Sequence, residues 1–340
     1  MKVLVTGSSG FLGGHLIEQL LPKRHEVVGM VRKGSDTDLL QDLGVEMRKG
    51  DLTDPASLLE VTKGVDCVIH LAAYYTFSGK KERYEEINVQ GTKNMLDAML
   101  KNGVKRIIYC SSTEAIGPTP NGIANESSSC HPYYEYGRSK LRAENLIREC
   151  ERSGIEHTII RPSGIYGPRN LDDVSYWFIT TFANSIASRM IIGDGKKVLQ
   201  FVHLDDAVQG FLLALGKWDI AKNQTYIITD SRAYTYEEIY GIMANIFNKP
   251  APRRHVPVWL AKIMVAPVQG MNYLRGEPNF VWRISSMNTF KVDRNYSIEK
   301  AGRELGYAPR HTLPEGLRET AKWYQQKGYI KGASAQLESI

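Results

Sequence analysis

A tyrosine and a lysine four residues apart are the strongest catalytic candidates in this 340-residue sequence. Tyr136 and Lys140 stand where a helical pattern begins, and residues spaced i and i+4 share one face of a helix. A phenol has a pKa of about 10 and is a poor base at neutral pH. A nearby ammonium group stabilises the phenolate and lowers that pKa. The pair could therefore exchange a proton with a substrate oxygen.

A run of hydroxyl side chains ends the predicted strand Arg106–Ser111. In parallel sheets the carboxyl ends of strands face the ligand crevice. A hydroxyl of Ser111, Ser112 or Thr113 could hydrogen-bond the substrate oxygen and align it for Tyr136. Together with Tyr136 and Lys140, this hydroxyl run predicts a catalytic site for hydride transfer.

A glycine-rich turn joins the first predicted strand, Val3–Thr6, to a helical pattern at His15–Leu21. Gly7 permits the tight turn, Gly10 lets the backbone approach a pyrophosphate, and Gly13 lets helix and strand pack closely. The free N–H groups and the positive end of the helix favour an anion at this point. The turn therefore predicts a dinucleotide site.

The end of the second predicted strand, Glu26–Val31, bears on the choice of cofactor. NAD enzymes usually place a carboxylate there for the ribose hydroxyls, whereas this chain continues with Arg32 and Lys33. A guanidinium group matches a 2′-phosphate. We therefore predict NADP, and NAD is the second choice because Asp36 and Asp38 follow closely.

The order of patterns predicts an α/β fold, with a doubly wound parallel-sheet Rossmann domain and a smaller α+β C-terminal substrate domain. The other predicted elements are the strands Glu46–Lys49, Cys67–Leu71 and Glu156–Ile160 and the helices Ile87–Asn102 and Ser139–Ser153. We assign residues 1–165 to the Rossmann domain, to which 199–229 returns. Residues 166–198 and 230–330 form the substrate domain, and 331–340 a flexible tail.

Composition limits the class of protein. Hydrophobic residues make up 42% and charged residues 24% of the chain, which suits a globular protein with a sizeable core. The net charge of +6 is spread along the chain without a long basic run, so no nucleic-acid partner is predicted. No apolar stretch approaches 18 residues, so no integral membrane segment is predicted.

A strand begins at Lys2, which leaves no room for a signal peptide and makes a cytoplasmic location the expectation. The cysteines Cys67, Cys110, Cys130 and Cys150 are widely spaced, and we expect reduced thiols and no metal site.

The chain resembles the extended short-chain dehydrogenases/reductases, a group within the epimerase/dehydratase superfamily, from Met1 to about Ile330. The resemblance rests on an ordered set of motifs: Thr6-Gly7-x-x-Gly10-x-x-Gly13, Gly50-Asp51-Leu52, His70-Leu71-Ala72-Ala73, Asn88-Val89-x-Gly91-Thr92, Ser111-Ser112-Thr113, Tyr136-x-x-x-Lys140, Arg161-Pro162 and Tyr166-Gly167-Pro168.

The resemblance implies a role for each matched residue. Ser112 would be the catalytic hydroxyl, because the family places it five residues before the glycine matched here by Gly117. Tyr136 would be the acid/base, and Lys140 would orient the ribose. Contacts to the cofactor would come from Gly7, Ser9, Gly10, Phe11, Leu12, Gly13, Arg32, Lys33, Asp51, Leu52, Leu71, Ala72, Ala73, Asn88, Ser111, Tyr136, Lys140, Pro162 and Ser163. A homodimer through Glu85–Leu100 and Ser139–Arg152 is also implied.

Two departures separate the chain from the sugar-nucleotide enzymes of this family. Those enzymes usually carry an Asn after the sixth strand, where this chain has Arg161-Pro162-Ser163-Gly164. They also usually carry Arg-Asp before an aromatic residue, where this chain has Val198-Leu199-Gln200-Phe201. Because Leu199 cannot pair with a diphosphate, the chain is most similar to the 3β-hydroxysteroid dehydrogenase and dihydroflavonol-reductase-like branch.

Two apolar segments predict a pocket for a hydrophobic small molecule. Tyr74-Tyr75-Thr76-Phe77 follows the fourth strand, and Val256–Leu274 carries Trp259, Ile263, Met264 and Tyr273 at loosely helical spacing. The second segment could instead make a peripheral membrane contact. We expect a hydride transfer between the nicotinamide and a steroid-, flavonoid- or lipid-like secondary alcohol or ketone. The candidate substrate residues are Tyr74, Thr76, Thr113, Glu114 and Tyr166.

Other interpretations remain at this stage. A sugar-nucleotide epimerase or dehydratase would use the same fold and cofactor, and Glu114 supplies half of the acidic pair that dehydratases of the family usually carry. A cofactor-sensing regulator is a third interpretation, although such proteins tend to lose the Tyr or the Lys. We expect His70 and His203 to be hydrogen-bonded core residues.

Overall fold

A computed structural model describes residues 1–76, 79–120, 122–171, 174–184, 189–275 and 283–330, without the side chains of 174, 175 and 177. Phe77 and the predicted tail, 331–340, lie outside these residues.

Seven parallel strands form the central sheet, and they confirm the predicted fold class. Their bounds are β1 (Lys2–Thr6), β2 (Glu26–Val31), β3 (Glu46–Lys49), β4 (Cys67–His70), β5 (Arg106–Cys110), β6 (Glu156–Pro162) and, much later in the chain, β11 (Gln224–Ile228). The spatial order is β11-β6-β5-β4-β1-β2-β3. The central strands are buried almost throughout, as expected of a parallel sheet covered on both faces.

Helices cover the two faces of this sheet. They are α1 (Phe11–Leu20), α2 (Asp38–Asp42), α3 (Pro55–Val61), α4 (Lys81–Tyr84), α5 (Gly91–Lys101), α6 (Glu135–Glu149), α8 (Leu204–Gly216) and α9 (Trp218–Ala221). A π-helical turn, Glu85–Gln90, joins α4 to α5, and a 3₁₀ turn, Cys150–Ser153, ends α6. Leu16 and Phe211 share one apolar cluster, from α1 and α8, and Met95 and Ile147 share the other, from α5 and α6.

The rest of the chain forms small two-stranded sheets and further helices. The strands are β7 (Gly164–Tyr166) beside β10 (Phe201–His203), β8 (Met190–Ile192) beside β13 (Arg254–Val256), and β9 (Val198–Leu199) beside β12 (Tyr234–Thr235). The helices are α7 (Val174–Asn184), α10 (Tyr236–Ile246), α11 (Val258–Arg275), α12 (Glu299–Leu305) and α13 (Leu313–Gln326). Within the described ranges, no helix has both the length and the apolar character needed to cross a membrane.

The register of the sheet determines where a ligand can lie. Thr6 is level with Met30 of β2 and with His70 of β4, and Cys110 of β5 is level with Ile160 of β6. The carboxyl ends of these strands therefore meet along one edge, where ligands bind in open α/β sheets.

Candidate active site

One large cavity of about 1160 Å³ runs along the carboxyl edge of the sheet. Its size exceeds what one drug-sized ligand fills and suits a dinucleotide together with a substrate. Most of the residues predicted from the sequence line it: Gly7, Ser9, Gly10, Phe11, Leu12, Gly13, Arg32, Asp51, Leu52, Leu71, Ala72, Ala73, Tyr74, Ser111, Ser112, Thr113, Glu114, Tyr136, Lys140, Pro162 and Ser163.

The glycine turn forms one end of the cavity. Gly7 has a φ of +68°, and a Cβ on Gly13 would lie 2.1 Å from the carbonyl oxygen of Gly7. The Gly10 N–H donates to that same oxygen (3.0 Å). Because Gly10 precedes α1 and has no side chain, the first N–H groups of the helix are left for an anion. The turn therefore fits the pyrophosphate of a dinucleotide.

A buried hydrogen-bond chain ties the end of β1 to the end of β4. The Thr6 hydroxyl oxygen accepts from the N–H groups of Leu71 and Ala72, so its proton faces His70 Nδ1 (2.8 Å). The Thr92 hydroxyl donates to the Asn88 carbonyl (2.7 Å), which leaves its oxygen to accept from His70 Nε2 (3.2 Å). Burial, with a smaller effect of the Lys140 charge, lowers the pKa of His70 to about 3. His70 is thus a neutral, hydrogen-bonded core residue.

The hydroxyl groups after β5 have different partners. The Ser111 hydroxyl donates to Glu144 Oε1 (2.5 Å), which turns it away from any substrate. The Ser112 oxygen accepts only from the Glu114 N–H (3.1 Å) among its recorded bonds, where it caps a short 3₁₀ turn. Its proton is therefore available for a ligand in the cavity. Thr113 is more deeply buried than Ser112 and interacts with the Tyr296 phenol.

Glu144 is a buried acid that the sequence analysis missed. It lies four residues after Lys140 on α6 and is fully buried. Arg161 of β6 binds it through Nε (2.8 Å) and Nη2 (2.6 Å), and Arg148 Nη2 donates to it as well (2.8 Å). Burial alone would raise the pKa of Glu144, but Arg161, Arg148 and Ser111 hold it below its usual value. The position of Glu144 four residues after Lys140, on the same face of the predicted helix, was the one feature of the sequence that could have indicated a buried acid.

Tyr136 and Lys140 lie side by side on the first turns of α6, and both are buried. The Lys140 ammonium lies 4.4 Å from the centroid of the Tyr109 ring, a cation–π contact. Burial lowers the pKa of Lys140 to about 8. The ring of Tyr75 meets Tyr136 edge to face, with centroids 5.1 Å apart. This places an aromatic wall next to the proposed acid/base.

Glu114 pairs with Arg294, a second residue that the sequence analysis missed. Arg294 Nε donates to Glu114 Oε1 (2.7 Å), and both side chains are largely buried in the cavity wall. Neither Nη1 nor Nη2 of Arg294 has a hydrogen-bond partner within the described part of the chain. No sequence motif links the two residues, which are 180 positions apart. Because Glu114 is held by Arg294 and follows Thr113 rather than an acid, a dehydratase role is not supported.

Several predicted residues do not line the cavity. Asn88 is buried, and its amide instead holds the backbone of Tyr74 (2.6 and 3.1 Å) and the hydroxyl of Ser139 (2.9 Å). Lys33 is an exposed residue beside the lining residue Arg32, and the Thr76 carbonyl accepts from the Tyr84 phenol. Phe77 cannot be placed, since it lies outside the described residues.

Tyr166 is also absent from the cavity lining. Its ring contacts Phe201 and His203, and it is buried in an apolar cluster that also contains Tyr240 and Leu317. The predicted pocket residues of Val256–Leu274 are absent as well, since Trp259, Ile263, Met264 and Tyr273 are exposed on the outer face of α11. Their helical spacing gave no indication of which side of the helix would face inward.

His203 is the last residue of β10 and is buried, and it caps the start of α8, where its Nδ1 accepts from the Asp205 N–H (3.4 Å). Its ring stacks on His311 with centroids 3.9 Å apart. Burial and then the neighbouring His311 lower the pKa of His203 to about 4. His203, Asp205 and His311 are the one set of described residues with ligand atoms close enough to hold a metal ion. His203 and Asp205 lie outside the cavity lining, as does His311.

The buried charge of Lys140 predicts a pH-dependent stability. Between about pH 8 and the ordinary lysine value of 10.5, the unfolded chain holds a proton on Lys140 that the folded chain has lost. The wild type should therefore gain stability relative to Lys140→Met as the pH rises through this window. Urea unfolding at about pH 7 and about pH 9.5 measures the change. The exposed Lys101→Met is the matched control, and a wild-type advantage that is the same at both pH values would contradict the assignment.

A family model places the chain among known proteins. Residues 3–229 match the NAD dependent epimerase/dehydratase family, which is well over half of the chain. The chain is 28% identical to the sterol demethylase protein B of Methylococcus capsulatus over 97% of this chain and 100% of that protein. It is 27% identical to the human sterol-4-alpha-carboxylate 3-dehydrogenase, decarboxylating, over 97% of this chain and 90% of that protein.

Two further relatives share this length of similarity. The 2-alkyl-3-oxoalkanoate reductase of Stenotrophomonas maltophilia is 27% identical over 94% of this chain and 98% of that protein. Among solved structures, a dTDP-glucose 4,6-dehydratase from Streptomyces venezuelae with NAD bound is 26% identical, with a TM-score of 0.77 over 97% of this chain and 99% of that one. The chain therefore belongs to the NAD dependent epimerase/dehydratase family and is an NAD(P)-dependent oxidoreductase of its extended short-chain dehydrogenase/reductase group, in the 3β-hydroxysteroid dehydrogenase-like branch.

Proposed function

We propose that this protein is an NADP-dependent dehydrogenase or reductase acting on a hydrophobic, steroid-like or other lipid-like secondary alcohol or ketone. One observation carries the proposal: Ser112, Tyr136 and Lys140 line the same cavity as the glycine turn. A nicotinamide cofactor bound there supplies or accepts the hydride at the substrate carbon.

The chain's own residues handle the substrate oxygen. In the reductive direction the Tyr136 phenol gives its proton to the carbonyl oxygen, while the Ser112 hydroxyl donates a hydrogen bond to that oxygen. The Lys140 ammonium stabilises the phenolate that Tyr136 becomes. In the oxidative direction the same groups act in reverse, and Tyr136 takes the alcohol proton.

Apolar side chains in the cavity lining favour an apolar substrate. Tyr75, Leu171, Leu199 and Phe201 line the same cavity as the catalytic candidates. Gln200 lies between Leu199 and Phe201, and both ends of its amide are bound to the protein backbone. The amide accepts from the Tyr296 N–H (2.7 Å) and donates to the Asp230 carbonyl (2.9 Å), so it is not free to bind a ligand. An apolar wall at this point is suited to a ring system or acyl chain rather than to a diphosphate.

The first test is Tyr136→Phe, which removes only the phenolic oxygen. Turnover of a hydrophobic ketone should fall by about 10²- to 10⁴-fold, because proton transfer is lost. Binding of the reduced cofactor, followed by fluorescence, should be kept. Tyr133→Phe, on an exposed ring three residues earlier, is the matched control. A Tyr136→Phe enzyme with wild-type turnover would refute the mechanism.

Arg32 supports NADP over NAD. It lines the cavity next to Asp51, whose pKa is lowered by Thr53 and, to a smaller extent, by the Arg32 charge. Asp36 and Asp38 line the same cavity, and their negative charges would repel a 2′-phosphate. Arg32 supplies the positive charge that would bind it. Lys33 does not line the cavity.

Cofactor preference gives the second test. Arg32→Ala should raise the KM for NADP by about 10- to 100-fold, the usual contribution of a hydrogen bond to a charged group. The KM for NAD should change little. Lys33→Ala is the control and should have a smaller effect on both. An Arg32→Ala enzyme that keeps its NADP preference would instead favour NAD as the natural cofactor.

We further propose that Arg294 favours substrates that carry a carboxylate. Two relatives are named for substrates that carry a carboxylate near the reacting oxygen, a sterol-4-alpha-carboxylate and a 2-alkyl-3-oxoalkanoate. In this chain Arg294 uses Nε for Glu114, and its Nη1 and Nη2 are buried without a hydrogen-bond partner within the described residues. Arg294 lines the same cavity as Ser112, so that binding a carboxylate requires the side chain to turn these nitrogens toward the cavity. A guanidinium group of this kind suits a carboxylate.

Substrate pairs test this role of Arg294. For the wild type, kcat/KM should be higher for a 3-oxo acid than for the matching ketone without the carboxylate. In Arg294→Gln this preference should fall by about 10- to 100-fold. The double variant Glu114→Gln/Arg294→Gln avoids an unpaired buried charge and should behave alike. An unchanged preference in both folded variants would exclude the proposed contact.

A further inference from the structure

The outer face of α11 is apolar and exposed over its full length. Trp259 is 63% exposed, Ile263 61% and Leu274 86%. These residues are joined on the surface by Leu260, Met264, Met271 and Tyr273. Single exposed apolar residues are ordinary, but a continuous exposed apolar surface usually marks an interaction site.

The helical periodicity shows that this face is separate from the packed one. Val258, Ala261 and Val265 are buried against Met287 and share one side of the helix. Trp259, Ile263, Ala266, Gly270 and Leu274 follow at intervals of three or four residues and form a stripe on the opposite side. This outward stripe contains no charged residue. A surface helix of a globular protein normally places its polar residues there.

Basic residues occur before, within and after α11 along the chain. Residues 239–292 contain seven Lys or Arg and one acid, a balance of +6 that equals the net charge of the whole chain. The segment that contains α11 is therefore locally basic, although Glu237, Glu238 and Asp293 stand just outside it. The basic residues are Lys249, Arg253, Arg254, Lys262, Arg275, Arg283 and Lys291, and the acid is Glu277.

The exposed charges lie close to the ends of the helix. Arg253 and Arg254 are exposed just before α11 begins, and Arg275 is its exposed last residue. Lys262 is half-buried near the first turns. An acid, Glu237, also lies near this region and faces His255 at 3.5 Å. An apolar stripe bordered by cations complements an anionic lipid surface.

The helix is also connected to the substrate end of the cavity. Met287 and Phe290, in the 3₁₀ turn Ser286–Lys291, pack against the inner face of α11. Thr289, in the same turn, lines the cavity. One short segment therefore separates the exposed apolar helix from the space in which a hydrophobic substrate would lie.

We propose that α11 is a docking helix that lies flat in the surface of an anionic phospholipid bilayer. The helix spans about 27 Å at 1.5 Å per residue, and its apolar stripe enters the headgroup and upper acyl region. Docking also brings the cavity next to the lipid phase from which a lipid-like substrate would enter; this role in substrate entry rests on the proposed function.

A second copy of the chain is the weaker occupant of this face. A symmetric contact would place the same patch of each copy against the other. The basic residues that border α11 would then meet basic residues, and like charges across an interface are costly. An anionic bilayer satisfies both the apolar stripe and the positive border.

Vesicle sedimentation of the full-length protein tests the proposal. Wild type should bind vesicles of phosphatidylcholine with one-third phosphatidylglycerol at least about tenfold more strongly than vesicles of phosphatidylcholine alone, and added salt should reduce the difference. Trp259→Glu/Ile263→Glu should lower binding by at least about tenfold, because it removes apolar area and adds repelled charge. Arg253→Ser/Arg254→Ser should lose about fivefold per charge on the anionic vesicles and little on the neutral ones.

The control is Ile220→Glu, which places one glutamate on a residue that is 50% exposed on α9, and it is compared with the single variant Ile263→Glu as well as with the double variant. It should bind vesicles as the wild type does. All variants should keep the thermal stability of the wild type and its turnover of a water-soluble ketone, since no altered residue lines the cavity.

Two results would overturn the proposal. One is wild type that fails to bind anionic vesicles, and the other is a Trp259→Glu/Ile263→Glu variant that binds like wild type. A dimer that this variant dissociates, without vesicle binding, would assign the face to a second copy. Because vesicle binding needs no turnover, a protein that binds vesicles but reduces no lipid-like ketone would refute the proposed function alone.

Discussion

The buried carboxylate of Glu144 joins the three elements on which the candidate active site is built. It binds Arg161 of β6 through two nitrogens, accepts from Ser111 at the end of β5, and belongs to α6, which carries Tyr136 and Lys140. A buried ion pair contributes little net stability, because desolvation of both charges offsets their attraction. Its effect here is positional: breaking it would leave a buried charge, so the strand end and the helix cannot move apart.

The charges on α6 show how this arrangement is balanced. Glu144 accepts four hydrogen bonds from three residues. The ammonium of Lys140, one turn earlier, lies against an aromatic ring, and burial lowers its pKa to about 8. A folded protein tolerates such a charge at a functional site when the surrounding structure holds it in place. The neutral His70 network beneath it fixes the adjacent strand ends without adding another charge.

The second half of the chain determines what can reach these groups. It contributes Leu199, Phe201 and Arg294 to the cavity wall, and so combines an apolar surface with a cation that has two buried nitrogens without a partner in the described part of the chain. The same half carries the exposed stripe of α11. The two proposed ligands are an amphipathic acid in the cavity and a lipid surface on α11. Both would be recognised by apolar area together with positive charge, on the two sides of the 3₁₀ turn Ser286–Lys291.

The sequence by itself determined the features that depend on neighbouring residues. The glycine turn, the alternation of strands and helices, and the i, i+4 pair Tyr136 and Lys140 follow from local backbone geometry, so their place along the sheet edge could be predicted. Only the tertiary structure decided which distant residues meet. The pairing of Glu114 with Arg294, the use of Asn88 to hold a loop, and the burial of Tyr166 depend on how separate elements dock. The spacing of apolar residues in Val256–Leu274 indicated a helix, but which side of it packs inward was set by the residues that cover it, and these come from elsewhere in the chain.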